Sequence, residues 1–216
     1  MKFGFVIKKI KRFWGMADFR NSTVLGLLFF IISMILNHKA NVYLTTIDRN
    51  AVGDFLLDIL PVVNIRFLLV EGALFFILMV IFLMLRKPRR IPFILKGVAL
   101  FVTIRAGFLI LTHLGPYPGT SLIDLSEVVL YFASGLGRFF SGHTGMPFLF
   151  CLMFWDNLQL RILFLISSII GAITVLLAHV HYSIDVVSAY FITYTIFCMA
   201  KKFFERDYEI FKNGWE

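Results

Sequence analysis

The stretch IRFLLVEGALFFILMVIFLML, residues 65–85, is apolar for a full membrane thickness, with its only charges, Arg66 and Glu71, near one end. A helix rises about 1.5 Å per residue, so a segment of this length crosses the ~30 Å hydrocarbon core of a bilayer. Working outward, five further apolar segments can be drawn, at 23–44, 91–113, 143–160, 161–178 and 184–200. They predict an all-α, polytopic membrane protein, a six-transmembrane-helix bundle with both termini on one side. The composition agrees: 59% of residues are hydrophobic, 26 of 216 are Phe, and the mean hydropathy is +0.86. That is more apolar surface than a soluble domain of this length can bury, so the bilayer has to act as solvent.

The expected organisation is a basic, interfacial arm over 1–22, a six-helix membrane domain over 23–200 and a tail over 201–216. The first twenty residues are basic and interrupted, without the apolar core and cleavage site of a signal peptide. Segments four and five are separated only by a polar turn around Asp156, Asn157 and Gln159, which predicts a tight helical hairpin. Cys151 and Cys198 each lie within an apolar run and read as packing residues.

The net charge of +8 is distributed between apolar segments, not along an aromatic-interleaved groove, so it points to membrane orientation and away from nucleic acid. With the N-terminus inside, sixteen of the 21 basic residues are cytoplasmic, and only Lys39, Arg49, Arg66 and Arg138 lie outside. This asymmetry predicts cytoplasmic termini, with the long loops at 45–64 and 114–142 on the outer face. The short loops suggest a bacterial inner membrane.

Three polar features stand out. Ser141-Gly142-His143-Thr144 precedes an apolar run, with Ser as an N-cap and His in a first turn whose free N–H groups suit phosphate oxygens. A capped helix with an interfacial His is the plainer reading of that tetrapeptide. His179-Val180-His181-Tyr182-Ser183-Ile184-Asp185 sets His181 and Asp185 four apart, on one helical face. There the carboxylate can hold one imidazole nitrogen and leave the other as a nucleophile. Topology counting brings both motifs to the outer face. Arg105 lies inside the third span, where a charge needs a polar cavity or a partner; it reads as a phosphate clamp or as the ion-pair partner of Glu71.

At these residues the chain resembles the lipid phosphatase and phosphotransferase (PAP2) superfamily, and within it the sphingomyelin synthase-like branch. Asp54-Phe55-Leu56-Leu57-Asp58-Ile59-Leu60-Pro61 is similar to an outer-loop acidic motif. Arg89-Arg90, Gly97, Arg105, Thr112, Leu114 and Pro116 resemble the long third-span motif. Ser141 to Thr144 match Ser-Gly-His-Thr, and His181 to Val186, with Ala189-Tyr190, match the last motif with Ser183 in place of Thr.

The resemblance implies that His181 becomes a phosphohistidine, Asp185 orients it, and His143 protonates the departing alkoxide and later deprotonates the acceptor. Arg105, Ser141, Gly142, Thr144, Asp58 and Arg138 are the implied substrate-binding residues. No metal or cofactor is implied. The implied partners are a phospholipid or lipid phosphate, with a lipid or water as acceptor, and the membrane itself.

Three departures qualify the transfer of roles. Gly135-Leu136-Gly137 stands where Cys-Gly-Asp is usual, and the Arg138 that follows suggests a more anionic headgroup than phosphocholine. Gly53 replaces a Pro. Val175 occupies the place of the Arg that the wider superfamily carries ahead of its nucleophile, which leaves phosphate binding to Arg105 and the backbone. The function expected is lipid-to-lipid phosphotransfer at the outer face. The alternatives are a lipid phosphate phosphatase and a non-catalytic transporter or assembly factor. His179 is expected beside the site, Asp54 and Asp124 in solvated loops, and Tyr182, Tyr190 and Tyr194 as packing or interfacial anchors.

Overall fold

The structure, a computed structural model, describes residues 11–118 and 139–213, without the Arg66 side chain. Its helices in chain order are α1 (Ala17–Thr45), α2 (Phe55–Ile59), α3 (Arg66–Arg86), α4 (Ile91–Leu111), α5 (Gly142–Met153), α6 (Leu158–Leu177), α7 (Ser183–Phe203) and α8 (Glu205–Lys212). A 3-10 turn, Pro88–Arg90, leads into α4. Arg138, Asp124 and Gly135 to Gly137 lie outside the described residues, as do residues 1–10 of the basic arm.

Among the described residues, five helices are long and apolar enough to cross a membrane: α1, α3, α4 with its leading turn, α6 and α7. Their large apolar side chains face outward in numbers no aqueous surface tolerates, among them Phe67, Phe75, Leu78, Leu111 and Phe191. The segment expected as a fourth span differs. It forms α5, a helix of 12 residues, about 18 Å long and short of the ~30 Å core. Asn157 sets the limit, because its side chain caps α6 by accepting from Leu160 N at 3.0 Å, and the chain must turn over Phe154 to Asp156 first. The expected hairpin is present, with α5 packed on α6.

Small residues let the helices meet. The longest contact joins α1 to α4, where Gly26 leaves room for Leu95 and the Pro92 carbonyl. Gly171 of α6 lies so close to the His143 backbone that any side chain there would strike it. Pro147 contributes to this approach, because a proline four residues on leaves the His143 carbonyl without its helical donor. Phe93, Phe101, Phe140, Phe150 and Phe164 fill the centre between α4, α5, α6 and α7.

The two ends of the bundle have different chemistry. At one end Asp207 of α8 accepts from Lys96 Nζ (2.5 Å) and from Ser22 Oγ (2.6 Å), and Lys96 also donates to Ser22 (2.8 Å). Both Lys96 and Asp207 are buried. Removing one member of a buried pair leaves an uncompensated charge. Asp207→Ala is therefore expected to lower stability by about 3–5 kcal/mol, with Lys96→Met/Asp207→Leu recovering most of the loss in thermal unfolding of the detergent-solubilised protein.

Candidate active site

At the opposite end, two segments far apart in sequence are joined by one backbone hydrogen bond, from Ser141 N–H to the Asp185 carbonyl at 3.1 Å. Asp185 itself is fully buried. Its Oδ2 accepts from Tyr182 N–H at 3.0 Å, closing a capping box at the start of α7, and lies 3.2 Å from His181 Nδ1. The i,i+4 pairing read from the sequence is therefore formed, although His181 sits just ahead of the helix. With Nδ1–H held by the carboxylate, the tautomer puts the imidazole lone pair on Nε2.

The other motif caps α5. Ser141 Oγ accepts from Thr144 N–H at 3.3 Å, and Thr144 Oγ1 donates to the same oxygen at 3.2 Å. Both side chains are fully buried, so their visible work is to fix the helix start. Helix geometry leaves the N–H groups of Gly142 and His143 outside the α5 ladder, at the positive end of the dipole. The His143 imidazole is within hydrogen-bonding reach of the Leu69 backbone and within electrostatic reach of His181 and Arg105. Its Nε2 is buried with no hydrogen-bond partner among the described residues, and Asp185 Oδ1 shares that condition. Unpaired polar atoms are expensive in a core and recur where a substrate is to be met.

Arg105 belongs to this cluster. Its Nε donates to the Phe140 carbonyl at 3.0 Å, and the guanidinium lies over Gly142, where a Cβ would be 3.6 Å from Nε. The planar fork therefore lies in van der Waals contact with the first turn of α5. Glu71, the alternative partner weighed from sequence, is an exposed residue of α3.

The loops close over the same end. α6 finishes in a Schellman turn, with Val180 N–H on the Val175 carbonyl (3.1 Å) and His179 N–H on that of Leu176 (3.0 Å). His179 takes the left-handed position with φ 52°, where glycine is usual. Its ring is buried, with Nε2 3.2 Å from the Leu60 carbonyl and the edge of Tyr117 against it. Buried Tyr182 donates to the Gly115 carbonyl at 3.1 Å and accepts from Val52 N–H at 3.3 Å.

Asp58 stands at the rim, exposed, accepting from the Tyr117 hydroxyl. That bond, together with burial and neighbouring carboxylates, pushes the phenol up to about 12, so Tyr117 remains a donor at ordinary pH. Arg138 lies outside the described residues.

The acid that reaches the cluster is Asp54, which sequence reading left in solvent. It is buried, caps α2 through Leu56 N–H (3.0 Å) and Leu57 N–H (3.2 Å), and accepts from Ser183 N–H at 2.6 Å. An Asp ahead of Phe-Leu-Leu is an N-cap signal that could have identified the first role. Nothing local signals the bond to Ser183.

Residues 138–202 match the family model described as PAP2 superfamily C-terminal. The matched stretch covers less than half the chain and contains Ser141 to Thr144, His181 and Asp185. It supports placement in the PAP2 superfamily, whose members are phosphatases and phosphotransferases. No curated protein and no solved structure matches the chain.

Burial alone would raise the Asp54 carboxyl, but the N–H donors of Ser183, Leu57 and Leu56 outweigh it and hold the group below its ordinary value. A carboxyl depressed on folding adds stability that is full above the unfolded value and is lost as pH falls through the folded one. Acid unfolding of the wild type should therefore steepen below about pH 4, the unfolded range for Asp, and Asp54→Asn should show a flatter slope when melting temperature is followed against pH.

Proposed function

We propose that this chain is a membrane-embedded lipid phosphotransferase of the sphingomyelin synthase-like branch of the PAP2 superfamily. It would move a phosphoryl or phospho-headgroup between lipids through a phosphohistidine at the outer face of the bilayer. The observation that carries the reading is the Ser141–Asp185 hydrogen bond, which brings His143 and Arg105 to the His181–Asp185 pair.

In the first half-reaction the His181 Nε2 lone pair attacks phosphorus and forms a P–N bond while the P–O bond to the lipid alcohol breaks. His143 delivers its proton to the departing oxygen. Asp185 stabilises the imidazolium that develops on His181 and fixes its tautomer. The Arg105 fork and the first N–H groups of α5 meet the charge on the non-bridging oxygens. In the second half-reaction an acceptor hydroxyl gives its proton to His143 and attacks phosphorus. The P–N bond breaks and its electron pair returns to His181.

Whether that hydroxyl belongs to a lipid or to water separates a transferase from the alternative, a lipid phosphate phosphatase. Either reading keeps the same residues, because the acceptor is chosen by cavity shape and water exclusion. Thirteen basic residues among the described ones lie toward the end away from the site, which supports cytoplasmic termini and an outer active site.

Purified protein incubated with phosphate-labelled phospholipids and lipid phosphates, then quenched in alkali, is expected to retain acid-labile label on His181. His181→Ala should lose both label and turnover; turnover undiminished in that variant would sink the mechanism. His143→Ala is expected to lower kcat by about 10²–10⁴-fold, and by much less for a donor whose leaving group needs no proton. A labelled lipid product identifies the transferase and free phosphate the phosphatase.

A further inference from the structure

Arg90 belongs to the resemblance's third-span motif but has no part in the chemistry above, being at the far end of the bundle from His181. Its guanidinium is held between two rings, 4.8 Å from the centroid of Phe154 and 5.0 Å from that of Phe211. Its Nε is buried with no hydrogen-bond partner among the described residues. It faces a small open cleft of about 50 Å³ between the 88–90 turn, the α5–α6 turn and α8, with Asn157, Tyr208 and Lys212 on the walls. Asp156 also lines the cleft, but it is engaged by Lys212 at 3.2 Å, so the net charge at the cleft is the one on Arg90.

We propose that this cleft binds the phosphate of an anionic phospholipid headgroup in the leaflet facing away from His181, with Arg90 as its principal ligand. The two rings orient the fork in advance, so little entropy is lost when two phosphate oxygens dock on it. Asn157 and Tyr208 supply neutral donors beside it. The source is a lipid more than a soluble anion because the cleft lies where α4 enters the apolar layer, beside exposed Trp155 and the amphipathic α8. A basic pocket between helices at that level is what headgroup recognition needs. The assignment is independent of the catalytic reading.

The test measures lipid binding by native mass spectrometry on the full chain, titrated with phosphatidylglycerol, phosphatidylcholine and inorganic phosphate, for wild type, Arg90→Gln and Arg105→Gln. The expected result is phosphatidylglycerol binding preferred over phosphatidylcholine and weakened about tenfold or more in Arg90→Gln, the loss expected of one charge-assisted fork, while in Arg105→Gln the loss is confined to lipid held at the catalytic end and the Arg90-dependent adduct remains. Equal affinity in wild type and Arg90→Gln overturns the proposal, as does a loss confined to Arg105→Gln, which would put the lipid at the other end. Inorganic phosphate displacing the lipid at comparable concentration overturns the lipid assignment. Should Arg90→Gln fail to fold, Arg90→Lys, which keeps the charge without the fork, carries the same comparison.

Discussion

The candidate site depends on one buried carboxylate. Asp185 holds three groups at once: its carboxylate takes the Tyr182 N–H and faces His181 Nδ1, while its backbone carbonyl takes the Ser141 N–H. The first bond starts α7, the second orients the imidazole, and the third ties in the start of α5. A residue in that position cannot be exchanged for one of similar size without loosening two helices and the pair of histidines together. Because the surroundings exclude water, each of these bonds is electrostatically stronger than it would be in solvent, and each is costlier to leave unmade.

Rigidity around this carboxylate comes from close backbone approach. Gly171 against His143 and Gly145 against Phe101 and Thr193 remove side chains where two elements must touch. In an apolar medium helices gain nothing by hiding from lipid, so association depends on such contacts and on hydrogen bonds between helices, of which Ser168 Oγ to the Thr144 carbonyl at 2.8 Å is one. The loops contribute in the same way. Asp54 and Tyr182 bind backbone groups of distant segments, Ser183, Gly115 and Val52, and so tie the described parts of the loops together.

The opposite end is built on different terms. There Lys96, Ser22 and Asp207 pair charge with charge, and Arg206 pairs with Asp18 across the surface at 2.5 Å. α8 is thereby fastened under the bundle, and Phe211 is brought against Arg90. One end thus concentrates imidazole, carboxylate and guanidinium around open polar atoms, while the other is dominated by basic residues at a membrane boundary.

What the sequence determined by itself was the class of fold and the identity of the main polar residues. Spans long enough to cross a bilayer are legible because a lipid environment demands an unbroken apolar run, and the His181–Asp185 pairing is legible because a helical turn fixes what lies four residues on. The length of α5 was not legible, since an apolar run continues through the turn that Asn157 imposes. Nor was the part played by Asp54, because its bond to Ser183 joins residues that no local periodicity relates. Only the tertiary structure decided that Arg105 reaches Gly142 and that Ser141 meets Asp185. Such meetings depend on where glycine lets helices close up, a property of packed pairs and not of any single segment.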